Sequence, residues 1–199
     1  MVVFNKWSQL NSDTRTKIYM NDRMAPRKLA GDLSLRLKKH NCESPRILLC
    51  IGTDRSTGDC LGPLVGSKID QMNQGFFEVY GTLNNPVHAS NLKDTLEEIN
   101  SRYKNPLIIA VDACLGRIEN VGYINLGNGS LHPGAGVNKN LPPVGQIHIT
   151  GIVNVGGFME YMVLQNTRLN IVMGLADIIA RGLGEVIAEY ARPQSVQGC

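Results

Sequence analysis

The chain has no apolar run near the roughly 20 residues that span a bilayer, and Met1 to Met20 is polar with scattered apolar residues, not a hydrophobic leader. A soluble, cytoplasmic protein is the expectation. Charge of one sign is equally scarce. Lys and Arg number 20 against 17 Asp and Glu, a net +3, and the basic residues are scattered except for Arg36, Lys38, Lys39 and His40. Nothing there argues for nucleic acid or a membrane surface as partner. The five cysteines (Cys42, Cys50, Cys60, Cys114 and Cys199) are odd in number and lack Cys-x-x-Cys spacing, so neither a zinc site nor a disulfide scaffold follows. Also missing are the Gly-Lys-Ser/Thr ending of a phosphate-binding loop and the three close glycines of a dinucleotide fingerprint.

What is present is length and hydrophobic content enough for one full core: 199 residues, 43% of them hydrophobic. The informative stretch runs from Arg46 to Gly66. Ile47 to Ile51 is short, apolar and bounded by Pro45 and Gly52, which describes a buried parallel strand. In open α/β sheets the loop at a strand's carboxyl end is where ligands bind. That loop holds Asp54, Arg55, Thr57 and Asp59, and Gly58 and Gly62 bracket Asp59 with positions that let another group approach closely. An Asp at such a place most often caps the following helix, here beginning near Cys60. The functional alternative is an accessible carboxylate. Cys60 itself reads as a small buried residue despite its place at a helix start, where a thiolate is favoured.

A second acid is presented in the same way. Leu107 to Val111 is purely aliphatic, as a strand buried on both faces should be, and it is followed by Asp112. If both strands are parallel, Asp59 and Asp112 face one crevice. A turn-shaping Asp that accepts backbone hydrogen bonds is the bland reading of the second position. Cys50 and Cys114 fall in these apolar runs and read as core filler.

Elsewhere, Leu29, Leu33 and Leu37 mark an amphipathic helix after Pro26, and residues 1–25 show no period, so they are expected to be poorly structured. Helices are expected over Leu61–Met72 and from Leu92 to Ile99, and strands over Phe76–Tyr80, Val121–Leu126 and Gln146–Val153. His148 reads as a hydrogen-bonded or surface histidine. Gly127 to Gly145 is long for a connection and reads as a mobile wall or lid over the crevice. Met159 to Tyr190 is one long helix or two, weakened by Gly174, Gly182 and Gly184, with Asn166, Thr167 and Arg168 near its break within reach of the crevice. The whole reads as an α/β single-domain, doubly wound, mostly parallel sheet with helices on both faces, occupying residues 26–199.

The two acidic segments resemble those of the spore germination protease. Its Thr-Pro-Asp-Ala-Leu-Gly-Pro segment is matched by Thr57, Asp59, Leu61, Gly62 and Pro63, and departed from at Gly58 and Cys60. Its Ile-Asp-Ala is matched by Val111, Asp112 and Ala113. Hydrogenase-maturation endopeptidases carry a similar two-acid arrangement with Glu at the first position. The YyaC-type sporulation proteins resemble nearly the whole chain after about residue 25. This likeness implies a peptidase-like site with Asp59 and Asp112 as catalytic acids, and a protein substrate such as the small acid-soluble spore proteins inside a sporulating cell or spore.

The expected substrate contacts are Asp54, Arg55, Thr57, Gly58 and Gly62, with Asn154 from the polar end of a later strand. Of two close carboxylates, one acts as base on water while the other, protonated, polarises the peptide carbonyl. The sequence leaves open which is which. No cofactor is expected and no metal is required, although Asp59, Asp112 and a histidine are of the types that ligate one. The rival class is a non-catalytic binding or regulatory protein that keeps the fold.

Overall fold

A computed structural model describes residues 15–133 and 141–191. The chain runs β1 (Thr16–Tyr19), α1 (Ala25–Leu37), β2 (Arg46–Cys50), a 3₁₀ turn (Gly58–Cys60), α2 (Leu61–Asp70), β3 (Glu78–Tyr80), α3 (Leu92–Arg102) and β4 (Leu107–Gly116). It continues through β5 (Tyr123–Asn128), β6 (Ile147–Val155), α4 (Glu160–Gln165) and α5 (Leu169–Ala191). One six-stranded sheet forms, in the order β1-β5-β6-β4-β2-β3. Strands β3, β2, β4 and β6 pair in parallel, β5 is antiparallel to β6, and β1 is antiparallel to β5. Only β5 therefore runs against the rest, and the carboxyl ends of β2, β4 and β6 share one edge.

Side-chain alternation divides the core. Leu48, Cys50, Ile109 and Val111 face a large cluster built with Leu29 and Leu33 of α1, Leu61 and Val65 of α2 and Leu175 and Ile179 of α5. Ile47, Leu49, Ile108 and Ala110 face a smaller one with Leu92 and Ile99 of α3. Helices thus cover both faces, as a doubly wound sheet requires. Each fully buried leucine, such as Leu29 or Leu33, contributes about 1.5–3 kcal/mol of transfer free energy.

The expectation of a poorly structured segment over residues 1–25 fails for its second half. Thr16–Tyr19 hydrogen-bonds to the free edge of β5 and buries Ile18 to 2% exposure. Residues 1–14 lie outside the described residues. The C-terminal region is two helices, and α5 passes without a break through Gly174, Gly182 and Gly184. Gly182 is a packing position: a Cβ there would sit 2.7 Å from Leu29 Cδ2 of α1. The long connection is shorter than expected, because β5 extends to Asn128 and Leu131 bridges Val144 across its base. Its tip, residues 134–140, lies outside the described residues, as does the lid expected of it.

Candidate active site

The site forms where β2 stops and β4 does not. Cys50 and Val111 are the last paired residues of these strands, after which the Ile51 amide donates to the Val111 carbonyl at 2.7 Å. Gly52 then turns the chain away with φ +146°, a conformation side chains resist. A Cβ at Gly52 would collide with the Asp59 carbonyl, and one at Gly62 with the Ile51 carbonyl. The two glycines let the Asp59 turn fold back onto the strand end.

Strand β4 runs on to Gly116 beside β6 alone, with Asp112 opposite Thr150. This corrects the expectation that the strand ends at Val111 and leaves Asp112 in a loop. The extension is stabilised by β6, whose pairing the local sequence of β4 does not reveal. Alternation turns Asp112 to the α3 side of the sheet, with Ala110 and Ile108, at the point where β2 no longer flanks it.

Asp59 and Asp112 line one cavity of about 580 Å³. Thr53, Arg55 and Ser56 enter it from the β2 loop, His88 from the loop before α3, Cys114 and Leu115 from β4, Leu131, His132, Pro133 and Leu141 from the long connection, and Glu160, Tyr161 and Leu164 from α4. Asp59 does not cap: no side-chain cap hydrogen bond is made at the start of the 3₁₀ turn or of α2. Burial holds its carboxyl above the usual range. The Ser56 hydroxyl lies toward Asp59 and eases the shift, yet it is buried and completes no hydrogen bond of ordinary geometry among the described residues.

Asp112 is pushed well above the usual carboxylate range, first by burial and then by the negative charge of Asp59. Its Oδ1 accepts the Ala113 amide at 2.8 Å, which partly offsets the shift. The two carboxylates therefore sense each other across a partly buried cavity, where they do not readily ionise together. The His88 ring accepts the Ser90 amide at Nδ1, 3.3 Å away, which assigns its proton to Nε2. Among the described residues, no group of three or more His, Cys, Asp or Glu is arranged to hold a metal ion.

Of the other expected contacts, Arg55 lines the cavity and Asp54, Thr57, Gly58, Gly62 and Asn154 do not. Gly58 is a packing position, where a Cβ would lie 2.7 Å from Leu164 Cδ2 of α4. Asn154 ties β6 to α4, its amide donating to the Val163 carbonyl at 3.3 Å and to Thr167 Oγ1 at 3.1 Å. Thr167 is thereby buried and, with Asn166 and Arg168, stays out of the cavity.

Cys60 is buried, donates its thiol to the Thr57 carbonyl and is raised by burial and by Asp59 and Asp54, so the helix start does not produce a thiolate. Cys114 is a cavity wall, not core filler, with burial pushing its thiol up to about 11. His148 is buried beside the Gly129 carbonyl, 3.0 Å from Nδ1, a hydrogen-bonded histidine as read. Sequence reasoning missed α4 as a wall, although Glu160 is the only charged residue between His148 and Arg168.

The fold is an α/β architecture shared with a hydrogenase maturation protease. The [NiFe] hydrogenase maturation protease HycI from Thermococcus kodakarensis KOD1 superimposes with a TM-score of 0.52 at 14% identity, covering 77% of this chain and 99% of its own. The Hydrogenase 3 maturation protease aligns at 0.37 and 16% identity, over 68% and 88%, too loosely to bear on the fold. Residues 17–182 match the family described as "Protein of unknown function (DUF1256)", and the chain belongs to that family. It is 54% identical over 180 residues, 89% of this chain and 87% of the relative, to the uncharacterized protein YyaC of Bacillus subtilis (strain 168).

Proposed function

We propose that this protein is a sporulation-associated endopeptidase that hydrolyses peptide bonds of a protein substrate with Asp59 and Asp112. The observation that carries the reading is the coupling of the two acids: Asp59 raises the pKa of Asp112 across a shared cavity. Asp112, more deeply buried and further shifted, holds the proton and donates a hydrogen bond to the peptide carbonyl. Asp59, ionised, takes a proton from water as its oxygen attacks the carbonyl carbon. The C–N bond then breaks, and the amine leaves with the proton that Asp59 received. A general base and a proton donor set apart by environment are what such hydrolysis needs.

The substrate reading, small acid-soluble spore proteins, leans on the likeness of the segments around Asp59 and Asp112 to the germination protease. Purified protein incubated with those spore proteins should yield a defined set of fragments by mass spectrometry, and the Asp59→Asn variant should yield none. Intact substrate with the wild-type protein across the acidic to neutral range would overturn the peptidase reading and favour a binding protein that keeps the fold.

A further inference from the structure

The surface beside the cavity is unusual in what it leaves in water. Half of the large apolar side chains exposed among the described residues, namely Val155, Phe158, Met159, Tyr161, Met162 and Leu169, fall within residues 155–169. Phe158 is 88% exposed. Scattered apolar residues need no explanation, whereas a contiguous group marks a contact surface. Charge enters the stretch at two places, Glu160, whose Oε1 accepts the Gly157 amide at 3.2 Å, and the exposed Arg168 beside Leu169.

The backbone is held to this display. Met159 sits in the left-handed region at φ +55°, directly before α4. A non-glycine residue there carries a steric cost, its Cβ crowding the carbonyl that follows. Burial of Phe158 does not repay that cost, and strain maintained by surrounding structure points to a use. The surrounding structure is the Asn154 clamp on Val163 and Thr167.

Helix α4 is a ridge between two hollows. Glu160, Tyr161 and Leu164 line the paired-acid cavity on one side. Met159, Met162 and Val163 line a shallow groove of about 560 Å³ on the other, together with Val155, Phe158 and the polar but uncharged Asn154 and Asn166. A single helix of six residues thus separates the groove from the place where a bond would be cut. The cavity wall on this side is also apolar, through Leu115, Leu164 and the ring of Tyr161.

We infer that this groove binds an uncharged, apolar segment of the protein substrate, laid over α4 so that the neighbouring peptide bond reaches Asp59 and Asp112. The inference rests on the peptidase reading for the identity of the occupant and on the groove alone for its chemistry. Its test uses two fluorescein-labelled peptides of equal length, one with a Val-Leu-Phe-Leu centre and one with Ser-Gln-Asn-Gln. They are titrated by anisotropy onto the Asp59→Asn variant, which leaves the probe uncut.

The apolar peptide should bind about tenfold tighter or more, and Phe158→Ser with Met162→Ser should remove most of that difference. Leu35→Ser and Ile118→Ser, exposed apolar positions elsewhere at 59% and 76%, should leave it unchanged. Phe158→Ala serves as a milder second variant, expected to weaken binding several-fold. Equal affinity for both peptides, no effect of the groove variants, or equal weakening by the control variants would overturn the inference. Sedimentation that shows a dimer dissolved by the groove variants would also overturn it, since a second copy would then be the occupant. Groove-dependent binding without cleavage by the wild-type protein would sink the peptidase reading instead. Cleavage indifferent to Phe158 and Met162 would sink only the docking.

Discussion

The Asp59 carboxylate lies near enough to Asp112 for its negative charge to raise the pKa of Asp112 beyond what burial alone achieves. Both groups titrate above 3.8 in the fold and near that value in the unfolded chain. Their protonated forms therefore contribute stability that is complete below 3.8 and is lost as pH rises through the raised folded values. In an Asp112→Asn variant the side-chain amide never ionises, and its carbonyl oxygen can still accept the Ala113 amide. That variant should melt with wild type in acid and several degrees above it near neutrality. Thermal scans from acid to neutral pH check this, and a variant that melts lower at every pH would mean that Asp112 is a structural acceptor.

Gly62 brings the first turn of α2 against the end of β2. Gly62→Ala should destabilise the protein by about 1–3 kcal/mol, the usual range for overpacking, because its methyl would meet the Ile51 carbonyl. Urea unfolding measures the loss. Unchanged stability would show that the turn carrying Asp59 can move away from the strand.

The thiols separate by environment. Cys42 is exposed, Cys50 and Cys60 are buried, and Cys114 titrates at about 11 in the cavity wall. Among these four, iodoacetamide at neutral pH should label Cys42 first by mass spectrometry, and partial labelling should leave cleavage intact. A Cys60→Ser variant that folds and has lost all cleavage would replace the carboxylate mechanism with a thiol one.

The long aliphatic runs Ile47–Ile51 and Leu107–Val111 were legible because a strand buried on both faces has no room for polar residues. The same logic hid the end of β4. Residues from Asp112 to Gly116 are held by β6, 38 or 39 positions later in sequence, so a carboxylate inside a strand reads locally as a strand's end. Thr16–Tyr19 was invisible for a related reason: one buried side chain in four residues makes no period, and its stability comes from the edge of β5. Asp59 and Asp112 could be paired from strand direction alone, whereas Glu160 and Tyr161 reach the cavity through the left-handed turn at Met159, which no propensity anticipates. Gly58 and Asn154 looked like ligand contacts because small and polar residues at strand ends serve packing and clamping equally well.

The central claim is that Asp59 and Asp112 work as one unit, and a double-mutant cycle on cleavage tests it most directly. Specificity constants, kcat/KM, would be measured for wild type, Asp59→Asn, Asp112→Asn and the double variant. Each single change should lower kcat/KM by about a thousandfold or more, and the double change by no more than about tenfold further, because members of a catalytic unit are not additive. Cleavage retained by either single variant, with only the melting temperature altered, would contradict the account and return both acids to a structural role.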